Sequence, residues 1–492
     1  MQTGTLITLA LYFVLMIGIG LFAWRKSTDT SEGYLLAGRN LPPAVAALSA
    51  GASDMSGWLL LGLPGALYAS GLVEAWIGIG LFAGAVVNWI VVAPRLRQQT
   101  EELGNALTIP EFLANRFPDK AVALRVVSAI VIVAFFTVYT AAGLVGGGKL
   151  FETAFAGLLP SIALSGYMLG IWITALVVLA YTMVGGFLAV SLTDFVQGCI
   201  MVVALVLMPL VVMFGSGGEA GGSIADVAAS QPGFLSLTEG LTLLGFISAV
   251  TWGLGYFGQP HIIVRFMAIS TIEQVKTARN IGLTWMGVAL IGAIGIGITG
   301  RAYAERNGIL VEDPETIFIV LSELLFHPLI TGFLLAALLA AIMSTISSQL
   351  LVSSSSLTED FYRLFLRQQA SERERVNVGR ICVAIVALAA IAIAADPDSQ
   401  VLGLVSNAWA GFGAAFGPLI ILALTWDKMT GAGAVAGLVT GAAVVAIWIA
   451  SGLNASFMGG QGLYEIVPGF IAAWLAIVIV SKATGTAQPA RG

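Results

Sequence analysis

Long apolar runs separated by short polar segments dominate the pattern of this chain. A helix needs about 20 apolar residues to cross a bilayer core of roughly 30 Å. Because backbone groups in lipid must form their hydrogen bonds internally, such runs predict transmembrane helices. Thirteen runs are candidates, in chain order 5–24, 44–69, 72–94, 126–147, 162–184, 188–214, 240–267, 280–302, 328–357, 381–395, 399–424, 430–451 and 465–482.

The segments between these runs are too short to form a separate soluble domain. The longest hydrophilic stretches span about 25 to 30 residues, so residues 1–492 are predicted to form a single transmembrane domain. The stretch 317–326 is apolar but short, and we expect it to be a helix lying in the loop before the ninth span.

The distribution of Lys and Arg gives the predicted chain an orientation. If the N-terminus is outside, 19 of the 22 Lys and Arg residues fall on the cytoplasmic side, with Arg265 counted in the loop after the seventh span. Only Lys149, Arg301 and Arg306 fall outside. This asymmetry follows the positive-inside rule and predicts an outer N-terminus and a cytoplasmic C-terminus, with the plasma (inner) membrane as location.

Composition and candidate chemistry exclude other classes of protein. Only 10% of the residues are charged and the mean hydropathy is +0.95, whereas soluble domains carry about 25% charged residues. Cys199, Cys382, His261 and His327 are too few and scattered for a disulfide framework or a transition-metal site. We therefore expect neither an enzyme nor a nucleic-acid-binding protein.

Two of the predicted spans contain residues that interrupt helices. The second carries Ser-Ala-Gly-Ala-Ser-Asp-Met-Ser-Gly-Trp over 49–58, and the seventh carries Trp-Gly-Leu-Gly-Tyr-Phe-Gly-Gln-Pro over 252–260. Gly and Pro weaken helical continuity. Non-helical backbone at membrane depth is tolerated only where it lines a cavity or lies inside protein.

The two interrupted spans lie five apart, so each begins a block of five helices. Since five is odd, the second block has inverted topology, which is the arrangement of many secondary transporters. The predicted blocks are 44–214 and 240–424, with flanking helices at 5–24, 430–451 and 465–482. The alternative is that Gly and Pro only kink packed helices, because the two blocks share no obvious sequence identity.

The clearest intramembrane acid is Asp54, which an apolar span tolerates only with a partner. On the ninth span, the carbonyl of Ala341 and the hydroxyls of Ser344 and Thr345 share one helical face. Carbonyls of Ala52 and Met55, beside the second-span break, are candidates to complete an oxygen shell for a small alkali cation. The alternative is that the hydroxyls bond only to their own preceding turn.

A candidate site for an organic solute adjoins the seventh-span break. Trp252, Tyr256 and Pro260 are spaced four apart and share one face if the helix persists that far. Backbone N–H groups near Ser56 and Gly57, at the broken second helix, are candidates to bind a carboxylate. Ordinary aromatic packing between helices remains the alternative for this pair of rings.

Taken together, these motifs resemble the sodium/solute symporter family, and most of all its proline-transporting branch. The resemblance runs from about residue 5 to 482, with motifs at 50–58, 62–65, 185–197, 252–261, 341–349 and 401–410. It implies an all-α integral membrane protein with the LeuT-like 5+5 inverted-repeat fold. It further implies Na⁺ as coupling ion and L-proline as the solute taken up across the lipid bilayer.

The resemblance also implies roles for individual residues. Sodium ligands would be the carbonyls of Ala52, Met55 and Ala341 and the hydroxyls of Ser344 and Thr345. The proline site would be lined by Ser56, Gly57, Trp252, Tyr256 and Pro260. Asp54 would matter for sodium without necessarily touching it, and Arg39 and Asp194 resemble positions tied to coupling and inner gating. Ser348 departs from the cysteine expected in close relatives.

Other functions remain open at this point. Related branches of the family carry other small solutes on the same scaffold. A non-transporting sensor on that scaffold should carry an appended signalling domain, and only about ten residues follow the last predicted span. An intramembrane enzyme would need a nucleophile with a base or a metal cluster, and a channel would need a continuous pore lining.

Overall fold

The computed structural model describes residues 3–27, 31–155, 165–214 and 224–485. Throughout these ranges the chain is helical or irregular and contains no β-strand. Eleven helices are long and apolar enough to cross a membrane, and a twelfth span results if one bent pair is counted. The prediction of a multi-pass, all-helical membrane protein is therefore confirmed.

The membrane helices follow the predicted spans closely. Their bounds are Thr3–Ser27, Pro43–Met55 with Gly62–Ser70, Ala75–Val87 continuing through Asn88–Val92 to Ala93–Glu102, Ala121–Phe155, Gly166–Phe214, Gln274–Arg306, Pro328–Ser355 continuing as Ser356–Leu366, Glu372–Ala394, Val401–Thr425, Gly431–Ala450 and Ile466–Thr484. Shorter helices are Ser31–Leu36, Ala37–Arg39, Gly57–Leu59, Leu72–Glu74, Ile109–Arg116, Pro118–Lys120, Ile224–Ser230 and Pro314–Thr316. The loop helix predicted over 317–326 is confirmed as Ile317–Leu325.

The seventh predicted span, 240–267, is not one helix. It consists of Leu243–Val250, a 3₁₀ segment Thr251–Gly258, and Pro260–Ala268 after an extended Gln259. None of these pieces is long enough by itself to cross a bilayer. The count of thirteen spans is therefore not confirmed by length and apolarity, and it stays a prediction.

The fifth and sixth predicted spans are joined more tightly than expected. Helical hydrogen bonding runs through Gly166–Phe214, with a single non-helical residue at Gly186 (φ 59°, ψ −153°). A residue with a side chain would be strained in this conformation. The connection predicted between 184 and 188 is therefore a one-residue kink, while residues 162–164 of the predicted fifth span lie outside the described part of the chain.

Burial separates a core from a lipid-facing periphery. The most apolar windows of the ninth and eleventh spans are 83% and 89% buried, whereas those of the first and last are 28% buried. A helix that exposes an apolar surface in a chain of this kind faces lipid. The first and last helices thus flank the core, and the ninth and eleventh form its centre.

The loops that the structure describes gather at two opposite ends of the helices. At one end, Arg97 Nε donates to the carbonyl of Ile269 at 2.6 Å and Arg39 Nη1 to that of Met267 at 2.9 Å. At the other, Lys149 Nζ lies 2.7 Å from an Asp313 carboxylate oxygen. The alternating loops of the predicted topology therefore meet as two separate groups.

One charge lies in a different environment from the predicted one. The sequence places Arg265 in an inner loop, but it lies on Pro260–Ala268 and its side chain is 1% exposed. The positive-inside count must omit it, because a buried ion pair within the protein says nothing about loop translocation. The remaining asymmetry keeps the same sign.

Candidate functional site

The second span breaks at one residue. Its first helix ends at Met55, Ser56 adopts φ 46° and ψ −172°, and the chain resumes as Gly57–Leu59 and Gly62–Ser70 with a bend of 69°. Ser56 Oγ accepts a hydrogen bond from the backbone N–H of Trp58 at 3.1 Å. Positive φ is uncommon for a residue with a side chain, and such strain clusters at binding sites.

Gly57 brings this break against the ninth span. A Cβ placed on Gly57 would lie 3.0 Å from Cγ1 of Ile342, tighter than ordinary van der Waals contact. The absence of a side chain therefore permits the backbone of the break to approach the helix that carries the predicted cation ligands.

Oxygen atoms of the two spans converge beside the break. Ser344 Oγ lies 2.8 Å from the carbonyl oxygen of Ala52 and 3.1 Å from that of Ala341, and Thr345 Oγ1 lies 3.2 Å from the same Ala341 oxygen. These residues, and Met55 one turn after Ala52, are all buried. A cluster of neutral carbonyl and hydroxyl oxygens suits a hard cation. The back-bonding alternative accounts only for the contacts to Ala341, not for the one to Ala52.

The Asp54 carboxylate is bonded to the seventh span. It accepts a hydrogen bond from the hydroxyl of Tyr256, and the Asp54 carbonyl accepts one from Tyr139 at 3.3 Å. Asp54 therefore links the second-span break to the seventh-span break.

A central cavity lies between the two breaks. Its lining residues are Asp54, Met55, Trp58, Leu81, Tyr139, Trp252, Tyr256, Val405 and Trp409. Its volume is about 10 Å³, room for roughly one water molecule. In this conformation the space between the aromatic side chains is therefore too small for an organic solute.

Hydrogen bonding and ring contacts fix the seventh-span break. Trp409 Nε1 donates to the carbonyl of Trp252 at 2.7 Å, and the Trp409 ring meets that of Tyr256 edge-on at 5.1 Å. A Cβ on Gly255 would collide with the Trp409 ring. The eleventh span thus holds the 3₁₀ segment in place through one tryptophan.

The predicted solute residues do not all line this cavity. Trp252 and Tyr256 do, but Ser56 and Gly57 lie in the second-span break behind it. Pro260 lines a separate cavity with Arg265 and Ser348, toward the other end of the core. The helix changes to 3₁₀ and then extended backbone before Pro260, so the expected common face is lost.

A buried ion pair joins four helices. Of its two members, only Asp194 is predicted from the sequence as a site residue. Asp194 and Arg265 lie 3.1 Å apart, and Ser49 Oγ donates to the Asp194 carboxylate at 2.8 Å. Arg265 Nε lies 3.1 Å from Ser49 Oγ, and its guanidinium also contacts the Ser348 hydroxyl. Arg265 stands inside the apolar run 240–267, and an ionisable residue in a span was the signal that would have found it.

Arg39 lies at the end of the core where the predicted cytoplasmic loops meet. It has φ 49° and its guanidinium bonds to Asn105, Thr100, and the carbonyls of Met267 and Ala106 at 2.6–3.3 Å. A planar five-donor group suits such a junction of several segments. The structure thus gives Arg39 a bridging position and does not bring it near the central cavity.

A second ionic cluster, at the opposite end, was not selected from the sequence. Lys149 contacts Asp313 at 2.7 Å and Glu315 at 2.8 Å, and Glu315 accepts from the backbone N–H groups of Val401 and Leu402 at 3.1 and 2.9 Å. A carboxylate at a helix N-terminus is favoured by the unsatisfied N–H groups there. The cluster therefore ties the loop before the ninth span to the start of the eleventh.

The described residues contain no group of three or more His, Cys, Asp and Glu side chains arranged to hold a metal ion. Cys199 and Cys382 are free thiols. The candidate sites are thus the oxygen cluster, the central cavity and the buried ionic groups.

Comparison with known sequences finds matches over nearly the whole chain. Residues 34–441 match the model of the Sodium:solute symporter family. Over 488 residues the chain is 52% identical to the sodium/proline symporters of Staphylococcus aureus strains JH9 and N315, covering 98% of this chain and 93% of each relative.

Solved structures of similar fold are also transporters. A substrate-bound, outward-open Na⁺-coupled sialic acid symporter superposes with a TM-score of 0.80 at 19% identity, covering 99% of both chains. A nucleobase-cation-symport-1 family transporter, closed with bromovinylhydantoin bound, gives 0.57 at 15% identity, covering 94% of this chain and 97% of that one. The predicted LeuT-like fold is thereby confirmed.

Proposed function

This chain belongs to the sodium:solute symporter family, and we propose that it is a sodium-coupled symporter that imports L-proline by alternating access. The identity of 52% to sodium/proline symporters over nearly the full length supports the solute. The position of Ser344 Oγ between the carbonyls of Ala52 and Ala341 is the observation that carries the sodium site.

The proposed sodium shell spans the second-span break and the ninth span. Its ligands are the carbonyls of Ala52, Met55 and Ala341 and the hydroxyls of Ser344 and Thr345. Since these groups belong to two different helices, a cation between them would hold the break in one geometry. Proline binding next to that break would then be coupled to sodium, and each ligand would raise the affinity of the other by the same factor.

The proposed proline site adjoins the same break. Trp252 and Tyr256 supply apolar ring surface for the pyrrolidine ring, and backbone N–H groups at Ser56 and Gly57 are proposed for the carboxylate. Pro260 would enter this site only after the seventh span rearranges. Asp54 is bonded to Tyr256 and would thereby couple occupancy of the cation site to the geometry of the solute site.

Arg39 and Asp194 are proposed to act in coupling and inner gating. Each bridges several segments on the predicted cytoplasmic side of the central cavity, through the contacts of Arg39 to Met267 and Ala106 and the pair of Asp194 with Arg265. Such contacts must be exchanged when the inner side opens.

The energy for accumulation would come from sodium entry. One charge moving through 100 mV releases about 2.3 kcal/mol, and a tenfold gradient adds about 1.4 kcal/mol. One sodium per proline would thus support accumulation of roughly 400-fold.

The proposed topology has its N-terminus outside and its C-terminus in the cytoplasm, in the plasma membrane. The proposed repeats are 44–214 and 240–424, each beginning with a broken helix. Single cysteines at exposed positions test the orientation, with Cys199 and Cys382 replaced by Ser. A membrane-impermeant thiol reagent applied to intact cells should label Leu310→Cys and spare Gln368→Cys. The reverse labelling pattern would show that the proposed orientation is wrong.

Uptake of labelled L-proline into proteoliposomes tests the function. We expect uptake to require an inward sodium gradient and to be lost in Asp54→Ala. Glu102→Ala is the matched control, because Glu102 is an exposed acid that accepts a hydrogen bond from Gln98, one turn earlier on its own helix. Uptake by this variant should equal that of wild type.

Other outcomes have distinct meanings. Sodium-driven uptake of another solute with none of proline would retain the family and overturn the substrate. Proline uptake independent of sodium would overturn the coupling. Absence of uptake for any small solute, in correctly oriented and folded protein, would favour a sensor.

A further inference from the structure

Three aromatic rings form a continuous stack above the central cavity. Trp252 packs between Trp58, with ring centroids 5.9 Å apart and planes 26° from parallel, and Tyr464, at 5.2 Å and 25°. Trp58 belongs to the second-span break and Trp252 to the seventh-span break. Tyr464 precedes the last helix, Ile466–Thr484, which lies outside both predicted five-helix blocks.

The stack separates two cavities. Trp58 and Trp252 line the central cavity. On the other side of Trp58 is Gly62, where a Cβ would lie 2.9 Å from Trp58 Cδ1 and 3.4 Å from Leu402 Cβ. Gly62 and Leu402 line an outer cavity of about 610 Å³. Trp58, with Trp252 stacked on it, thus forms the wall between this wide cavity and the small central one.

Tyr464 is fixed more firmly than its neighbours. Its hydroxyl donates to the carbonyl of Ser406 at 2.9 Å, its backbone N–H donates to Ser248 Oγ at 3.1 Å, and the residue is 8% exposed. Contacts at both the backbone and the far end of the side chain leave the ring little freedom to turn. It therefore offers Trp252 a fixed surface that does not belong to either broken helix.

The other side of the stack is held less well. The rings of Trp58 and Trp252 are farther apart than those of Trp252 and Tyr464, and Trp58 Nε1 is buried without a hydrogen-bond partner among the described residues. A buried indole N–H normally has a partner. Separating the rings of Trp58 and Trp252 therefore costs less free energy than separating those of Trp252 and Tyr464.

We propose that Tyr464 is a positioning residue of the transport cycle, which holds Trp252 so that the wall opens between Trp58 and Trp252. In this arrangement the segment that leads into the last helix sets the resting position of the seventh-span break, although it supplies none of the proposed solute or sodium ligands. The inference rests on the proposed function for its uptake readout alone, because the position of the wall is measured without any solute.

The test uses Val405→Cys, which places a thiol in the lining of the central cavity, in a chain with Cys199→Ser and Cys382→Ser. A small impermeant thiol reagent is applied to intact cells in sodium without proline. Tyr464→Leu, which removes the stacking surface, should raise the labelling rate about three- to tenfold, the range expected from one aromatic pair. Tyr464→Phe, which keeps the stacking ring but loses the hydrogen bond to Ser406, should give a labelling rate between those of the parent and Tyr464→Leu.

Uptake gives the second readout. Tyr464→Leu should raise the KM for proline by a similar factor with Vmax per folded transporter retained, because Trp252 is displaced while the rest of the cycle is intact. The matched control is Trp474→Leu on the last helix itself, where the Trp474 ring stacks on Phe470. It should change neither labelling nor KM.

Three results would overturn the proposal. They are an unchanged labelling rate in Tyr464→Leu, an equal increase in Trp474→Leu, and a Phe variant that behaves like the Leu variant. If the parent protein takes up no proline, the proposed substrate fails, but the labelling rates still decide the role of Tyr464.

Discussion

The second and seventh spans are both interrupted at the centre of the core, and they are interrupted in different ways. The second changes direction by 69° at the single residue Ser56, with regular helix up to Met55. The seventh unwinds gradually over the eight residues Thr251–Gly258 and continues after an extended Gln259. One break is sharp and strained, and the other is long and relaxed.

This difference separates two kinds of recognition. A sharp break next to a packed helix exposes carbonyl oxygens at fixed positions, and Ala52 meets the Ser344 hydroxyl at 2.8 Å. A long 3₁₀ segment projects large side chains, and Trp252 and Tyr256 face the cavity. We infer that rigid geometry serves a small ion and that an adaptable aromatic surface serves an organic solute.

The largest expected effect comes from cutting the link between the two breaks. Arg265, after the seventh-span break, pairs with Asp194 and contacts Ser49, before the second-span break. Arg265→Met leaves a buried carboxylate unpaired and should lower the free energy of unfolding by about 3–5 kcal/mol. Thermal unfolding in detergent measures this loss of stability. The double variant Arg265→Met/Asp194→Asn should recover most of the stability, and failure to do so would contradict the ion-pair explanation.

The sharp break is tested by removing one oxygen. Ser344→Ala leaves the buried Ala52 carbonyl without its partner and takes a ligand from the proposed cation shell. The sodium concentration for half-maximal uptake should rise about 5- to 150-fold, corresponding to about 1–3 kcal/mol. Ser353→Ala, the same change elsewhere on the buried ninth span, is the control. Equal sodium dependence in the two variants would remove Ser344 from the site.

The close contact between the second-span break and the ninth span predicts an effect on uptake similar in size to that of Ser344→Ala. Its cause is overpacking and not the loss of an oxygen ligand. A methyl group at Gly57 would meet Ile342 Cγ1 at 3.0 Å, so Gly57→Ala should cost about 1–3 kcal/mol by overpacking and slow uptake correspondingly. Removing the obstacle in Gly57→Ala/Ile342→Ala should restore part of the initial rate. A double variant slower than Gly57→Ala would show that a backbone role, not the close approach, requires this glycine.

The smallest effect is expected at the relaxed break. Trp409→Phe removes the 2.7 Å hydrogen bond to the Trp252 carbonyl but keeps an aromatic ring. A net loss of about 1 kcal/mol would raise the KM for proline roughly fivefold and leave the sodium dependence nearly unchanged. Trp448→Phe, which loses a bond of similar length to Leu463 in a peripheral helix, is the control. If Trp409→Phe changed the sodium dependence of uptake more than the KM for proline, the inference that the seventh-span break serves the solute and the second-span break serves the ion would be contradicted.

Sequence reasoning reached the elements of the site more readily than its contacts. Gly, Ser and Pro within apolar runs marked both breaks, because helix interruption is a local property of the chain. The side chain of Ser344 and the carbonyl of Ala341 were paired from helical spacing alone, and the structure gives a distance of 3.1 Å between their oxygens. The resemblance to a family supplied Ala52 and Met55 as definite partners, which spacing had offered only as candidates.

What was missed depends on distances between segments remote in the chain. Arg265 looked like one more basic residue at the end of a span, and its burial against Asp194 arises only when four helices meet. The four-residue spacing predicts that Pro260 shares a helical face with Trp252. The 3₁₀ segment between them instead turns Pro260 toward another cavity. Tyr464 had no signal in the sequence, since a tyrosine next to a terminal helix is unremarkable until its ring is found on Trp252.

The sequence by itself determined that the chain spans a membrane repeatedly, where its helices break and which end of each helix carries basic residues. These are consequences of local hydropathy, helix propensity and charge, which each segment carries independently of its neighbours. The tertiary structure alone decided which oxygens lie together, which charges are buried as a pair and which rings close the central cavity. Those properties depend on packing between helices hundreds of residues apart, where a shift of one helical turn would exchange every partner.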